Sequence, residues 1–154
     1  MGISEYLVST EPGETLVTYS LGSCVALALY DPMVGVAGLL HAMMPASKAN
    51  PDKAVVNPAM YTDAGAQALI QAMFNQGASR ANLVAKVVGA ASQIDEGQLF
   101  RIGERNYAVA RKVLWKNGIL IAAEDVGGSV SRTVCVRVAD GRTTVKSEGI
   151  TREL

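Results

Sequence analysis

Residues 16–43, LVTYSLGSCVALALYDPMVGVAGLLHAM, decide the fold. Leu16 to Tyr30 is rich in β-branched and apolar residues and is broken only by SLGS, and Val36 to Met43 resumes the pattern after the turn YDPMVG. That spacing predicts a hairpin whose first arm is kinked. The arm carrying Cys24 turns at Asp31 to Gly35 and returns through Gly38 to His41, the single histidine of the chain, so the thiol and the imidazole come to the same open end. The stretches Cys24 to Tyr30 and Val36 to His41 are of similar length, which sets the two residues opposite each other, at about 4.5–5.5 Å between Cβ atoms.

Outside this hairpin the composition narrows the field. A chain of 154 residues, 49% of them apolar, can bury a full core, and we expect one domain over residues 1–154. The 14 basic and 14 acidic residues balance, and the basic ones are scattered. No footprint for a phosphate backbone is present, which argues against nucleic acid as a partner. The first residues lack a cationic start followed by an apolar stretch, and no run reaches the roughly 18 apolar residues of a membrane span. The expectation is a cytoplasmic protein that does not insert in membranes. Cys24 and Cys135 read as free thiols, and one histidine with two distant cysteines does not make a metal site.

The rest of the chain alternates helix and strand. A polar connection, MPASKANPDKAVVNP (44–58), leads to Asn57 as N-cap with Pro58 at the first helical position. Tyr61, Ala64, Ala68, Leu69, Ala72 and Met73 then form an apolar stripe that Gly77 closes. NLVAKVVGAA (82–91) reads as a buried strand. After a polar loop, IGERNYAVARKVLWKNG (102–118) reads as a second helix, with Tyr107, Ala110, Val113 and Leu114 inward. ILIAAEDV (119–126) is another strand, and TVCVRVADGRTTVKSE (133–148) alternates on both sides of Asp140-Gly141, a dipeptide that favours a type I′ turn. Hairpins mixed with strand-helix-strand units predict an α+β fold, a layered sandwich with mixed β-sheets and two main helices, rather than a doubly wound sheet. Glycine-rich phosphate loops of the required spacing are absent, so no nucleotide site is expected.

Three residues of the opening hairpin can carry chemistry. A cysteine attacks as thiolate and needs a neighbouring base, and His41 is the one imidazole available to Cys24. Gly22-Ser23 gives a sharp approach to the thiol, with backbone N–H groups free to face an oxyanion. Thr18 can hold the second imidazole nitrogen with its hydroxyl, orienting the ring without adding charge. On spacing alone a cysteine, a histidine and a threonine on apolar strands read first as ordinary core residues, and without further evidence that reading prevails.

The set formed by Thr18, LGSC ending at Cys24, LYDP (29–32) and GLLHAMMP (38–45) closely resembles the chemoreceptor glutamine deamidases of the CheD family. The likeness continues through the helix at 61–77, AKVVGAA (85–91), IGERN (102–106) and DVGG (125–128), with departures at VVGAA and at Ser131-Arg132. The resemblance implies Cys24 as nucleophile with His41 and Thr18 completing a triad, and Gly22 and Ser23 at the substrate. It implies a fold similar to the cysteine hydrolases of the cytotoxic necrotizing factor deamidase domains. The implied reaction is hydrolysis of glutamine to glutamate on the cytoplasmic domain of bacterial or archaeal methyl-accepting chemotaxis receptors, through a thioester and with no cofactor. A CheC-type phosphatase is a further partner that the resemblance allows. Two other readings are a non-catalytic module that engages such a phosphatase and a receptor methylesterase.

Overall fold

The computed structural model describes residues 1–92 and 101–154; most of the polar loop expected before the second helix lies outside them. Among the described residues, nine strands form two sheets. The first, in the order β1-β4-β3-β5-β6, comprises β1 (Glu5–Ser9), β4 (Val36–Ala42), β3 (Val25–Asp31), β5 (Val84–Gly89) and β6 (Ile121–Val126). Its β5–β6 pair is parallel and its other pairs are antiparallel, so the sheet is mixed. The second sheet is antiparallel: β2 (Thr15–Leu21), β7 (Arg132–Arg137), β8 (Thr143–Ser147) and β9 (Ile150–Glu153).

Three layers result. Helices α2 (Thr62–Asn75) and α3 (Ile102–Lys116) cover one face of the mixed sheet, over Leu27, Leu29, Leu40 and Val87. The antiparallel sheet covers the other face, where Leu16, Leu21, Val134 and Val136 meet Ala26, Ala28, Leu39 and Val88. Both faces of β3 and β4 are therefore buried, which is why their sequences run almost unbroken in apolar residues instead of alternating. The α+β layered sandwich expected from the sequence is the fold observed.

The kinked first arm is two strands in different sheets. β3 and β4 form the expected hairpin, but β2 belongs to the opposite sheet, paired with β7, and the kink at 21–24 carries the chain across the sandwich. A register shift between Thr18 and Leu21, with Ser20 at φ 56°, bends β2 toward that crossing.

Helix α2 begins at Thr62, four residues after the Pro58 expected to start it. Pro58–Met60 forms a 3-10 turn, and a short helix α1 (Pro51–Val56), capped by the Asn50 side chain, occupies the stretch read as a connection. The buried face of α2 is Gly65, Ala66, Leu69, Ile70 and Met73, rotated from the expected stripe so that Ala64, Ala68 and Ala72 are only half-buried. The β7–β8 turn is wider than a two-residue type I′ turn. Gly141 alone has positive φ (73°), and its N–H donates to the Arg137 carbonyl. Strand β1, at one edge of the mixed sheet, has no counterpart in the sequence reading.

Candidate active site

Because β2 and β4 lie in different sheets, their inward side chains face each other across the sandwich. Thr18 points inward from β2 and His41 from β4, and Thr18 Oγ1 lies 2.7 Å from His41 Nδ1, with both residues fully buried. Thr18 thus meets the histidine across the two layers, not along one bent arm. The other ring nitrogen, Nε2, is buried without a hydrogen-bond partner among the described residues. An orphaned buried nitrogen is costly and calls for an explanation. Burial lowers the His41 pKa from 6.5 to about 4, with a smaller contribution from the N-terminal ammonium. That ammonium is itself anchored on the Val17 carbonyl at 2.9 Å.

Cys24 sits just before β3, half-buried against the inter-sheet core. It is not opposite His41. The register pairs His41 with Ala26, and Val25 with Ala42, so Cys24 is two residues displaced along the strand and diagonal to the imidazole. The turn is centred one residue later than equal arm lengths suggest, which shifts the register by two and pairs Tyr30 with Ala37. Diagonal neighbours lie about 7–8 Å apart, within reach of long or aromatic side chains on the same face. Burial raises the Cys24 thiol pKa, and a hydrogen bond from its own backbone N–H opposes the shift. Thiol and imidazole are therefore both neutral at pH 7.

Gly22 and Ser23 are half-buried, and Gly22 does not have positive φ. The tight backbone approach is made on the other side of the loop. The Ala91 N–H donates to the Gly22 carbonyl at 2.9 Å and the Ala90 N–H to the Cys24 carbonyl at 2.7 Å. Gly89, at φ 103°, allows that approach, since a Cβ there would stand 2.6 Å from the Cys24 carbonyl oxygen. Sequence reasoning assigned no role to Gly89 or to Asn106, whose side chain donates to the Ser23 carbonyl at 2.9 Å. A polar residue on the apolar stripe that includes Ala110 and Val113 was the available signal for the second.

Cys135 lies on β7 with its neighbours Val134 and Val136 turned into the core, and is a free, half-buried thiol. No group of three metal-ligating side chains exists among the described residues, and no described helix is long and apolar enough to cross a membrane.

Residues 43–147 match the family described as CheD chemotactic sensory transduction. A protein of Syntrophus aciditrophicus named "Probable chemoreceptor glutamine deamidase CheD 1" is 46% identical over 149 residues, covering 97% of this chain and 93% of its own. The chain belongs to the CheD family. A CheD relative from Solibacter usitatus, named "Probable chemoreceptor glutamine deamidase CheD", is 42% identical and covers 100% of this chain and 91% of its own. One from Pyrococcus horikoshii with the same name is 38% identical, covering 95% and 90%. Among solved structures, the Bacillus licheniformis hypothetical protein YfiH superposes with a TM-score of 0.50 at 20% identity, over 78% of this chain and 49% of that one. That similarity concerns the fold.

Proposed function

We propose that this CheD-family chain is a protein-glutamine glutaminase, converting glutamine side chains of chemotaxis receptors to glutamate and ammonia, with Cys24, His41 and Thr18 as its catalytic group. The names of its relatives support the reaction and the substrate. The observation that carries the site is the buried Thr18–His41 hydrogen bond, which leaves Nε2 unpartnered on the inter-sheet face that also holds Cys24.

The chemistry follows from the protonation states. With Nδ1–H donating to Thr18 Oγ1, the Nε2 lone pair is available as a base. Neutral partners favour attack with concurrent proton transfer over a preformed thiolate-imidazolium pair. His41 Nε2 takes the thiol proton as the sulfur adds to the amide carbon, and the Cys24 N–H stabilises the oxyanion. The carbon–nitrogen bond breaks as His41 returns the proton to departing ammonia. Water, deprotonated by the same nitrogen, then adds to the γ-glutamyl thioester. Expulsion of the thiol gives glutamate and regenerates the enzyme. Gly22 and Ser23 line the substrate side of the thiol in this scheme, and the steps require no cofactor. The receptor's cytoplasmic domain as substrate makes the cytoplasm the place of action.

The test is incubation of the purified chain with a receptor cytoplasmic fragment, followed by peptide mass spectrometry. The expected result is a gain of about one dalton at discrete glutamines with matching ammonia release, absent with Cys24→Ala. Methanol release without ammonia would instead make the chain a methylesterase. Unchanged receptor mass with tight binding of a CheC-type phosphatase would make it a binding module.

A further inference from the structure

Asn106 is the one polar residue on the buried face of α3 and is 0% exposed. Its Nδ2 donates to two carbonyl oxygens, Ser23 at 2.9 Å and Met43 at 3.1 Å, and its Oδ1 accepts from Thr62 Oγ1 at 3.0 Å. Carbonyls can only accept, so the partners themselves fix which end of the amide is nitrogen. Both amide hydrogens are committed to main-chain atoms beside the candidate nucleophile. Ser23 directly precedes Cys24. Met43 follows Ala42, the partner of Val25, and so stands across from Cys24 when the register is extended by one residue.

The peptide between Ser23 and Cys24 is planar and trans, so its carbonyl and its N–H point in opposite directions. Holding the Ser23 carbonyl toward α3 therefore turns the Cys24 N–H away from α3, to the side on which it meets its own sulfur. Gly103, one turn earlier on α3, braces the same loop indirectly. A Cβ there would collide with the carbonyl oxygens of Ala90 and Ala91, the residues whose N–H groups hold the Cys24 and Gly22 carbonyls. The start of α3 thus holds the 22–24 segment directly through the Asn106 amide and indirectly through the close contact of Gly103 with Ala90 and Ala91.

We infer that Asn106 is a positioning residue: by gripping the Ser23 and Met43 carbonyls it fixes the Ser23–Cys24 peptide plane, and with it the direction of the Cys24 N–H and the placement of the sulfur relative to His41. This rests on the reading of Cys24 as nucleophile. It assigns to the asparagine of IGERN a task in the reaction that packing of α3 alone does not require.

Two variants test it on the full chain, with the receptor fragment as substrate and with iodoacetamide as a substrate-free probe. Asn106→Ala removes both donors, and kcat should fall on the order of 100-fold, the scale of an oriented supporting hydrogen bond or a misaligned oxyanion donor, with KM changed less than about threefold. The pH profile of Cys24 alkylation should move upward, because the N–H no longer faces the thiolate. Thr62→Val breaks the same network from its far end, leaves both Asn106 donors in place, and should keep kcat and the alkylation profile within about threefold of wild type. If Asn106→Ala does not fold, Asn106→Leu, which keeps the volume and removes both donors without adding charge, carries the same expectation. Unchanged kcat and alkylation profile in the Asn106 variant, or equal losses in Thr62→Val, overturn the inference. Should the wild-type chain fail to deamidate the receptor, the reading of function falls, while the alkylation profile still decides whether Asn106 positions the thiol.

Discussion

At the scale of single residues, the site is organised around an imidazole that burial keeps neutral. His41 titrates near pH 4 in the folded chain, and Cys24 titrates above its ordinary range. The free chain therefore holds the imidazole and the thiol both neutral over most of the physiological range, the forms that the proposed mechanism uses. The acid limb of kcat/KM should lie near pH 4, and a limb near 6.5 would show that His41 is solvated in solution. Thr18 offers a separate test, because its hydroxyl lies 2.7 Å from Nδ1, the ring nitrogen that takes no part in the proposed proton transfer. Thr18→Ala should lower kcat about ten- to a hundredfold, the usual scale for an orienting partner. Thr18→Ser keeps the oxygen and should retain most of the rate. Equal, near-wild-type turnover by both variants would remove Thr18 from the site. These three candidates were open to sequence reading through their motif context. Their arrangement was not: the one-arm hairpin put Thr18 beside the kink, whereas its contact with His41 depends on which sheet each strand joins.

At the scale of elements, what the sequence conveyed depended on how local the signal was. The 3.6-residue stripe in 102–118 located α3 well, since Ala110, Val113 and Leu114 are among its buried residues, although half-buried Tyr107 gives way to Asn106. The Asn-Pro start signature occurs twice, at 50–51 and 57–58. The first opens α1 through the Asn50 cap, while the second opens only a 3-10 turn. One Asn-Pro pair looks like another locally, and the packing that separates them is not local. β1 is a five-residue edge strand whose pairing with β4, from Glu5–His41 to Ser9–Ala37, is likewise a long-range choice. Gly38 in the middle of β4 shows what that packing demands. A Cβ at Gly38 would stand 2.7 Å from the Met73 sulfur and 2.9 Å from Leu69 Cδ1, both on α2. Gly38→Ala should therefore overfill the layer between β4 and α2 and lower stability by about 1–3 kcal/mol. A fall in the urea midpoint with unchanged slope would record it, and an unchanged midpoint would show that Met73 and Leu69 give way freely.

At the scale of the whole molecule, the sandwich contains an ionisable group at its centre, and this couples stability to pH. His41 lies between the two sheets at 0% exposure, fixed by Thr18 on one nitrogen and unpartnered on the other. The three-layer design requires it to be neutral, because an imidazolium there would lose its hydration with no carboxylate among the described residues in hydrogen-bond contact to replace it. The unfolded chain carries no such restriction and binds the proton near pH 6.5. The sign follows from linkage. Above pH 6.5 the ring is neutral in both states and the stability contribution is fully present; between 6.5 and about 4 the unfolded state holds the extra proton and stability falls; below about 4 both states are protonated and the loss is complete. A shift of this size corresponds to a loss of about 3 kcal/mol at most. Other groups also contribute to acid unfolding, so the measurement compares wild type with His41→Gln, which fills the site with a neutral side chain. Urea unfolding at pH 7.5, 5.5 and 4 should show wild type losing more stability than the variant across that window, with the two changing in parallel above pH 7. Parallel loss throughout would mean that the sandwich opens enough to hydrate His41, and the acid limb of turnover should then move up toward 6.5 with it.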